Sequence, residues 1–490
     1  MPDGEQTIAE VHPRRQRTRA FDRQAYGFAR REIDDIVFVF IHKKAIGDER
    51  HARECGAALQ ENDRRELGGD SQHVPVAHAG ARRKFVYNFL RMLRFLTAGE
   101  SHGRALVVIL EGLPAGLPIQ TEAIARDLRR RQGGYGRGRR MAIESDRAEI
   151  LSGIRAGETI GGPVAMTIEN RDWVNWQYTM RTTAEAAEDA GGARRAPVTR
   201  PRPGHADLAG GAKYERDDLR DILERASARE TAARVAAGAV ARQLLRHTGI
   251  ELTSHVFTIG SHTLADRGRV DFARANALPD DQPLRCVDPD LEREMIAEID
   301  RAREAGDTLG GAFEVIATGV PVGLGSYVQW DRKLDGRLAQ ALMSIPAIKA
   351  VGIGIGPDAA SRPGSRVHDE IVPGDASHAT GLSRPTNNAG GLEGGVTNGE
   401  DLRVSAYMKP ISTLMKPLRS VDLTTMTESP AAIERSDVCA VPAAAVVGEA
   451  MVALVLADAL LERFGGDSIA ALERAMASAD STLRARFARK

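Results

Sequence analysis

A nineteen-residue pattern occurs twice in this chain. Gly99 to Leu117 reads GESHGRALVVILEGLPAGL and Gly306 to Leu324 reads GDTLGGAFEVIATGVPVGL, identical at nine positions without a gap. Gly157 onward, GETIGGPVAMTIEN, repeats the opening a third time. Each copy joins a glycine turn to an apolar run of β type, and the two long copies end in a Gly-x-Pro-x-Gly turn signal. Helical periodicity follows both: Thr121 to Arg131, and Lys333 to Ser344 with Leu334, Leu338, Leu342 and Met343 as its apolar residues. This predicts an α+β fold whose two related halves descend from a duplicated β–turn–helix unit. The unequal spacing of the copies argues against a solenoid.

The repeat also sorts residues by role. Glycines shared between copies read as turn or close-approach positions. His102 is not shared; its counterparts are Ile160 and Leu309. A second apolar stripe, Leu219 to Leu244 behind Asp217 and Asp218, predicts a long helix. Ser227-Ala228-Arg229-Glu230 fits a capping box, so that helix can restart at Ser227 with free N–H groups facing an anion. Arg225 and Arg229 share a face if the helix is continuous. The Ala/Val-rich stretch Val438 to Leu461, interrupted by Pro442, Glu449 and Asp458, reads as a buried helix rather than a membrane span.

Lys plus Arg and Asp plus Glu both number 67, and a neutral chain argues against a nucleic-acid protein. Cys55, Cys286 and Cys439 form neither a disulfide framework nor a metal knuckle, which fits a reducing, cytoplasmic setting with no metal site. Residues 1–91 are rich in Arg and His and show no sustained period, unlike the segment that starts at Met92. Their acids, Glu32, Asp34 and Asp35 among them, argue against a transit peptide. Three readings stand: a true start at Met92, a disordered tail, or a small accessory element. The expected division is an extension over 1–91 and a catalytic domain over 92–490.

Chemistry concentrates in a few clusters. Arg129 to Arg140 interleaves arginine with glycine around Tyr135, which suits a solvated loop, an RNA contact or an anion site. Backbone N–H groups and guanidinium forks favour the anion. Arg200-Pro201-Arg202-Pro203-Gly204-His205-Ala206-Asp207 is a stiff turn that sets a histidine between guanidiniums and a carboxylate, as proton transfer near neutral pH requires, although a surface turn reads equally well. Asn387 to Gly399 is a glycine loop with neither a P-loop nor a dinucleotide fingerprint. It leads into Leu402 to Thr413, whose Lys409, Ser412 and Thr413 suit a phosphorylated ring cofactor. Asp437 stands near the start of the Ala/Val helix. These clusters point to a small polyanionic ligand and proton transfer beside phosphate departure.

The motifs GESHG, GYGRGRRM, RPGHAD, RASARET, GLEGG-TNG, MKPIST and RSDVCAVPA stand in the order seen in chorismate synthases. From Met92 to about Asp467 the chain resembles that family. The resemblance implies a β-α-β sandwich, a homotetramer, and loss of phosphate from 5-enolpyruvylshikimate 3-phosphate by 1,4-anti elimination to give chorismate, with reduced FMN. It implies that His102 donates a proton to the departing phosphate, His205 protonates the reduced flavin, Asp437 assists proton removal, and Ser101 and Ser227 orient them. Substrate contacts would fall on Arg131, Arg137, Arg140, Arg202, Arg229 and Arg435. Flavin contacts would fall on Arg225, Ala226, Ser227, Pro346, Ala347, Gly394, Lys409, Pro410, Ile411, Ser412, Thr413 and Arg435. Some members reduce their own flavin with NADPH. With no nicotinamide fingerprint here, NADPH is expected to act only indirectly, through a flavin reductase.

Overall fold

The duplication read from the sequence organises the whole fold. The computed structural model describes residues 93–487 except 139–144, 185–195, 376–377 and 435–436. The first half runs β1 (Arg94–Ala98), β2 (Ala105–Glu111), α1 (Thr121–Gln132), β3 (Ala148–Ile150), a hairpin of β4 (Ile154–Arg155) and β5 (Glu158–Thr159), and β6 (Val164–Glu169). A short helix α2 (Asp207–Tyr214) and a single turn over Arg220–Leu223 then lead to the long helix α3 (Thr231–His247). The second half runs β7 (Glu251–Ile259), β8 (His262–Thr263), α4 (Pro289–Ala305), β9 (Gly311–Thr318), α5 (Leu334–Met343) and β10 (Ile348–Ile353). A hairpin of β11 (Leu392–Glu393) and β12 (Val396–Thr397), β13 (Leu402–Met408), and the long helices α6 (Val441–Phe464) and α7 (Ile469–Phe487) complete it.

The sheets are antiparallel, ordered β1-β2-β6-β3 and β10-β13-β9-β7-β8, so β1, β2, β6 and β3 correspond to β7, β9, β13 and β10. Register agrees: Leu110 faces Val164 as Ala317 faces Leu402. Helix α3 packs on β2 and β6, α6 packs on β7 and β9, and the two helices pack on each other. The result is a β-α-β sandwich.

Alternation makes β2 two-sided: Leu106, Val108 and Leu110 point inward, while Leu96 and Ile109, paired across β1 and β2, stay exposed outside. In β9 both faces are covered, because Val270, Ala275 and Val287 pack against Ile316 on the outer side. Helix α6 is long and apolar enough to cross a membrane by length, yet 89% of its most apolar window is buried in the fold. Such an all-round apolar helix belongs in a core.

Each Gly-x-Pro-x-Gly turn is pinned by a buried threonine. Thr159 Oγ1 donates to Pro114 O at 2.6 Å and accepts from Leu117 N at 2.9 Å. Thr397 Oγ1 donates to Pro321 O at 2.6 Å and accepts from Leu324 N at 2.8 Å. Glycines occupy the left-handed positions on each turn: Gly112 and Gly116, Gly319 and Gly323. Three expectations change. The repeat at Gly157 is the counterpart of Gly395 in the β11–β12 hairpin, not of Gly99, so Leu309 remains as the one counterpart of His102. Met343 is 45% exposed rather than core. The long helix is broken ahead of Ser227, which caps the restart by accepting from Arg229 N, while Glu230 pairs with Arg234 at 2.8 Å instead of closing the box.

The central helices touch through small residues. A Cβ at Gly238 would overlap that of Ala450 and stand 2.8 Å from its carbonyl oxygen. Gly238→Ala should therefore cost about 1–3 kcal/mol of stability, measured by denaturant unfolding, although alanine favours helix. A neutral or stabilising result would show that the helices can move apart without penalty.

Candidate active site

The chain entries to α3 and α6 open into one cavity of about 760 Å³. Its wall includes Ser101, His102, His205, Ser227 and Asp437. Among the described residues, six cationic side chains line it, Arg131, Arg137, Arg202, Arg220, Arg229 and Lys409, against three carboxylates, Asp172, Glu434 and Asp437. Ile345, Pro346, Met408 and Val447 form an apolar part of the wall.

His102 sits in the loop between β1 and β2. Its Nδ1 lies 2.8 Å from Glu224 Oε1, and its backbone N donates to Glu224 Oε2 at 2.8 Å. Because a carboxylate only accepts, this contact fixes the proton on Nδ1, and proton exchange with a ligand falls to Nε2. Trp176 stacks on the imidazole at 4.0 Å, and the Arg220 guanidinium lies 5.3 Å over the same indole. Neither Glu224 nor Trp176 was singled out from the sequence; Glu224, three residues before Ser227 in the RASARET region, was the available signal.

His205 is braced in the same way. Its Nδ1 lies 2.6 Å from Asp207 Oδ1, and Asp207 also accepts from Arg202 N, Nε and Nη2. Burial alone would raise the Asp207 pKa, but hydrogen bonds from His205 and Arg202 more than reverse this, so it lies well below the usual carboxylate range. Arg202 Nη1 continues to Thr413 Oγ1 at 3.0 Å.

The two serines join these parts. Ser227 Oγ donates to Ser101 Oγ at 3.1 Å, and Asn170 Nδ2 ties the His102 loop through Gly103 O at 2.7 Å. Asp437 accepts from Gly138 N at 2.6 Å and pairs with Arg137 at 2.8 Å, which brings the arginine–glycine loop to the start of α6. Arg229 makes two 2.7 Å contacts with Asp146 and one of 2.9 Å with Asn170 Oδ1. Arg131 reaches Thr231 Oγ1 and Ala228 O, both at 2.9 Å, while its buried Nη1 has no hydrogen-bond partner among the described residues. Burial, together with Arg229 and Arg137 and against the pull of Asp146, lowers the Arg131 pKa to about 9. It stays cationic at neutral pH, in surroundings that an anion would relieve.

Among the expected cofactor contacts, Ala226, Ser227, Pro346, Ala347, Lys409, Ile411, Ser412 and Thr413 line the cavity. Arg225, Gly394 and Pro410 do not. Arg225 turns outward where the helix breaks and holds Gly99 O and Thr97 O, each at 2.9 Å. Gly394 is exposed at the tip of the β11–β12 hairpin with φ 61°, where Ala156 in the matching hairpin has φ 52°. Its glycine serves the turn. Pro410 is exposed between two lining residues. Arg140 and Arg435 lie outside the described residues.

The chain is similar to known proteins along most of its length. The family model for chorismate synthase matches residues 93–461. A chorismate synthase of Moorella thermoacetica is 60% identical over 387 residues, covering 79% of this chain and 98% of its own length. One from Geobacter sulfurreducens is 58% identical, covering 78% and 97%. A crystal structure of a chorismate synthase superposes with TM-score 0.64 at 44% identity, covering 81% of this chain and 99% of that one.

The depressed Asp207 pKa sets a pH dependence. A group whose folded pKa lies below its unfolded value of about 3.9 stabilises fully above that pH and loses the contribution as pH falls toward the folded value. Asp207→Asn should cost about 3 kcal/mol at pH 7, as expected for breaking a buried charge pair. Denaturant unfolding at pH 7, 4 and 3 should show this gap closing only below about pH 4. An equal gap at all three values would mean that the carboxylate charge is not what stabilises the turn.

Proposed function

The chain belongs to the chorismate synthase family of carbon–oxygen lyases acting on phosphates, and on that premise we propose how its residues carry out the reaction. The substrate is 5-enolpyruvylshikimate 3-phosphate, and loss of its phosphate and a ring proton by 1,4-anti elimination gives chorismate. The observation that carries this reading is one cavity holding two carboxylate-braced histidines within an excess of guanidinium charge. A ligand with two carboxylates and a phosphate is costly to bury unless such charge is already in place.

The same cavity suits reduced FMN. Its volume falls in the range of small-molecule sites, the apolar wall offers a surface for a ring, and Lys409, Ser412 and Thr413 can meet a phosphate. When bound, the flavin supplies transient electron density to the substrate and accepts its ring proton. The chain's own groups do the rest. His102, its Nδ1 held by Glu224, presents Nε2 as the proton donor for the departing phosphate. His205, set by Asp207 and Arg202, holds a proton for the reduced cofactor. Asp437, held by Arg137 and Gly138 N, assists removal of the ring proton. Arg131, Arg137, Arg202 and Arg229 offset the substrate's charge, and Ser101 and Ser227 keep the loops in register. Electrons reach the site from a separate flavin reductase that uses NADPH; reduction by the chain itself is the alternative. Residues 92–490 form the catalytic unit, cytoplasmic and homotetrameric. Exposed Leu96 and Ile109 on the outer face of the first sheet support self-association.

His102→Ala should slow phosphate release roughly 10-fold to 10⁴-fold, the scale of general acid catalysis, while FMN binding is retained. Turnover at the parent rate would sink the assignment. Anaerobic assay with photoreduced FMN should give full activity, whereas NADPH with oxidised FMN in air should give none. Activity under the second condition would establish the self-reducing type.

A further inference from the structure

A second cavity, of about 210 Å³, lies between α1, α3 and the start of β7. Among the described residues five arginines line it, Arg126, Arg130, Arg242, Arg246 and Arg285, with Glu251 and Asp280 as wall carboxylates. Asp127 and Glu449 stand behind it, each paired with Arg130 and Arg242.

Arg285 is the unusual member. Its backbone is left-handed, φ 58°, which a side chain other than glycine's adopts only when its surroundings compel it. Its side chain is 6% exposed. Nη2 donates to Ser254 O at 2.9 Å, but Nε and Nη1 are buried without a hydrogen-bond partner among the described residues. Arg130 Nε is in the same position, 3.3 Å from Asp280 in an ion pair without hydrogen-bond geometry. Glu449 does not require Arg285: it already accepts from both Arg130 Nη atoms, from Arg242 Nη1 and from Ser254 Oγ, and Arg285 stays 3.7 Å away. A strained backbone holding a buried, under-bonded guanidinium at a polar cavity is costly unless a ligand completes it.

We propose that this cavity binds a small oxyanion of the phosphate type, received by Arg285 and Arg130 inside and by exposed Arg246 at the rim. The volume suits inorganic phosphate with a few waters and excludes a nucleotide. Five guanidiniums against four carboxylates leave a net positive charge for it. Burial, then the like charges of Arg130 and Arg242, outweigh Glu449 and Asp280 and bring the Arg285 pKa down to about 10, which an anion would restore. The site is distinct from the catalytic cavity, yet α1 joins them, since Arg130 serves one and Arg131 the other.

Calorimetric titration of the full chain with inorganic phosphate tests this. Two binding events are expected. Arg285→Met should weaken one about ten-fold and Arg246→Met the same one about three-fold, with phosphate-release activity unchanged. Arg202→Met should weaken the other event. Should Arg285→Met fail to fold, the exposed Arg246→Met decides. Absence of a second event, or binding sensitive only to Arg202→Met, overturns the proposal.

Discussion

The close approach of α3 to α6 is the constraint on which the rest depends. Gly238 lets the α3 backbone meet that of α6 at Ala450, and Gly448 leaves room for the Phe313 ring of β9, where any side chain would intrude. Between these largely apolar surfaces sits the fully buried Glu449. Burial would raise its pKa, but Arg130 and Arg242 hold it well below the carboxylate range. Through it α1, α3, β7 and α6 are fastened at one point. With the helices so fixed, the segments that precede them, Ser227 to Arg229 and Asp437, arrive at one cavity.

Carboxylates beneath the cavity then hold its side chains in place. Glu224 holds His102, Asp207 holds His205 and Arg202, and Asp146 holds Arg229. All three are almost wholly buried. Such pairs add little net stability against well-packed apolar residues, yet removing one partner costs several kcal/mol. Their contribution is geometric: a guanidinium or imidazole so bound keeps its rotamer before any ligand arrives, and the positive charge needed for an anionic substrate is stored without collapse of the cavity.

The duplication was visible where its copies kept glycine, proline and strand spacing, at Gly99 and Gly306. At Gly157 the shared glycines point to the wrong partner. The true counterpart is the Gly391 to Gly399 loop, with Thr397 in the place of Thr159; few positions other than glycine and threonine are shared, and those are the ones backbone geometry demands. Within that loop Gly394 stands at a hairpin tip with positive φ, a conformation that favours glycine. Divergence between the halves is informative in turn: His102 lines the cavity, where its counterpart in the other half, Leu309, packs against the core.

Residue types and short-range order were determined by the sequence alone. The α+β alternation, the buried Ala/Val helix, the restart at Ser227 and the neighbouring His205 and Asp207 all follow from local periodicity and spacing. Which distant groups pair was decided only by the tertiary structure. Glu224 meets His102 across 122 positions, Asp437 meets Gly138 across 299, and Arg130 turns away from Arg131 to bind Glu449 across 319. Periodicity places a side chain on a face, but its charge partner is set by how two helices and two sheets pack. That packing depends on contacts as small as Gly238 on Ala450, which no local pattern announces.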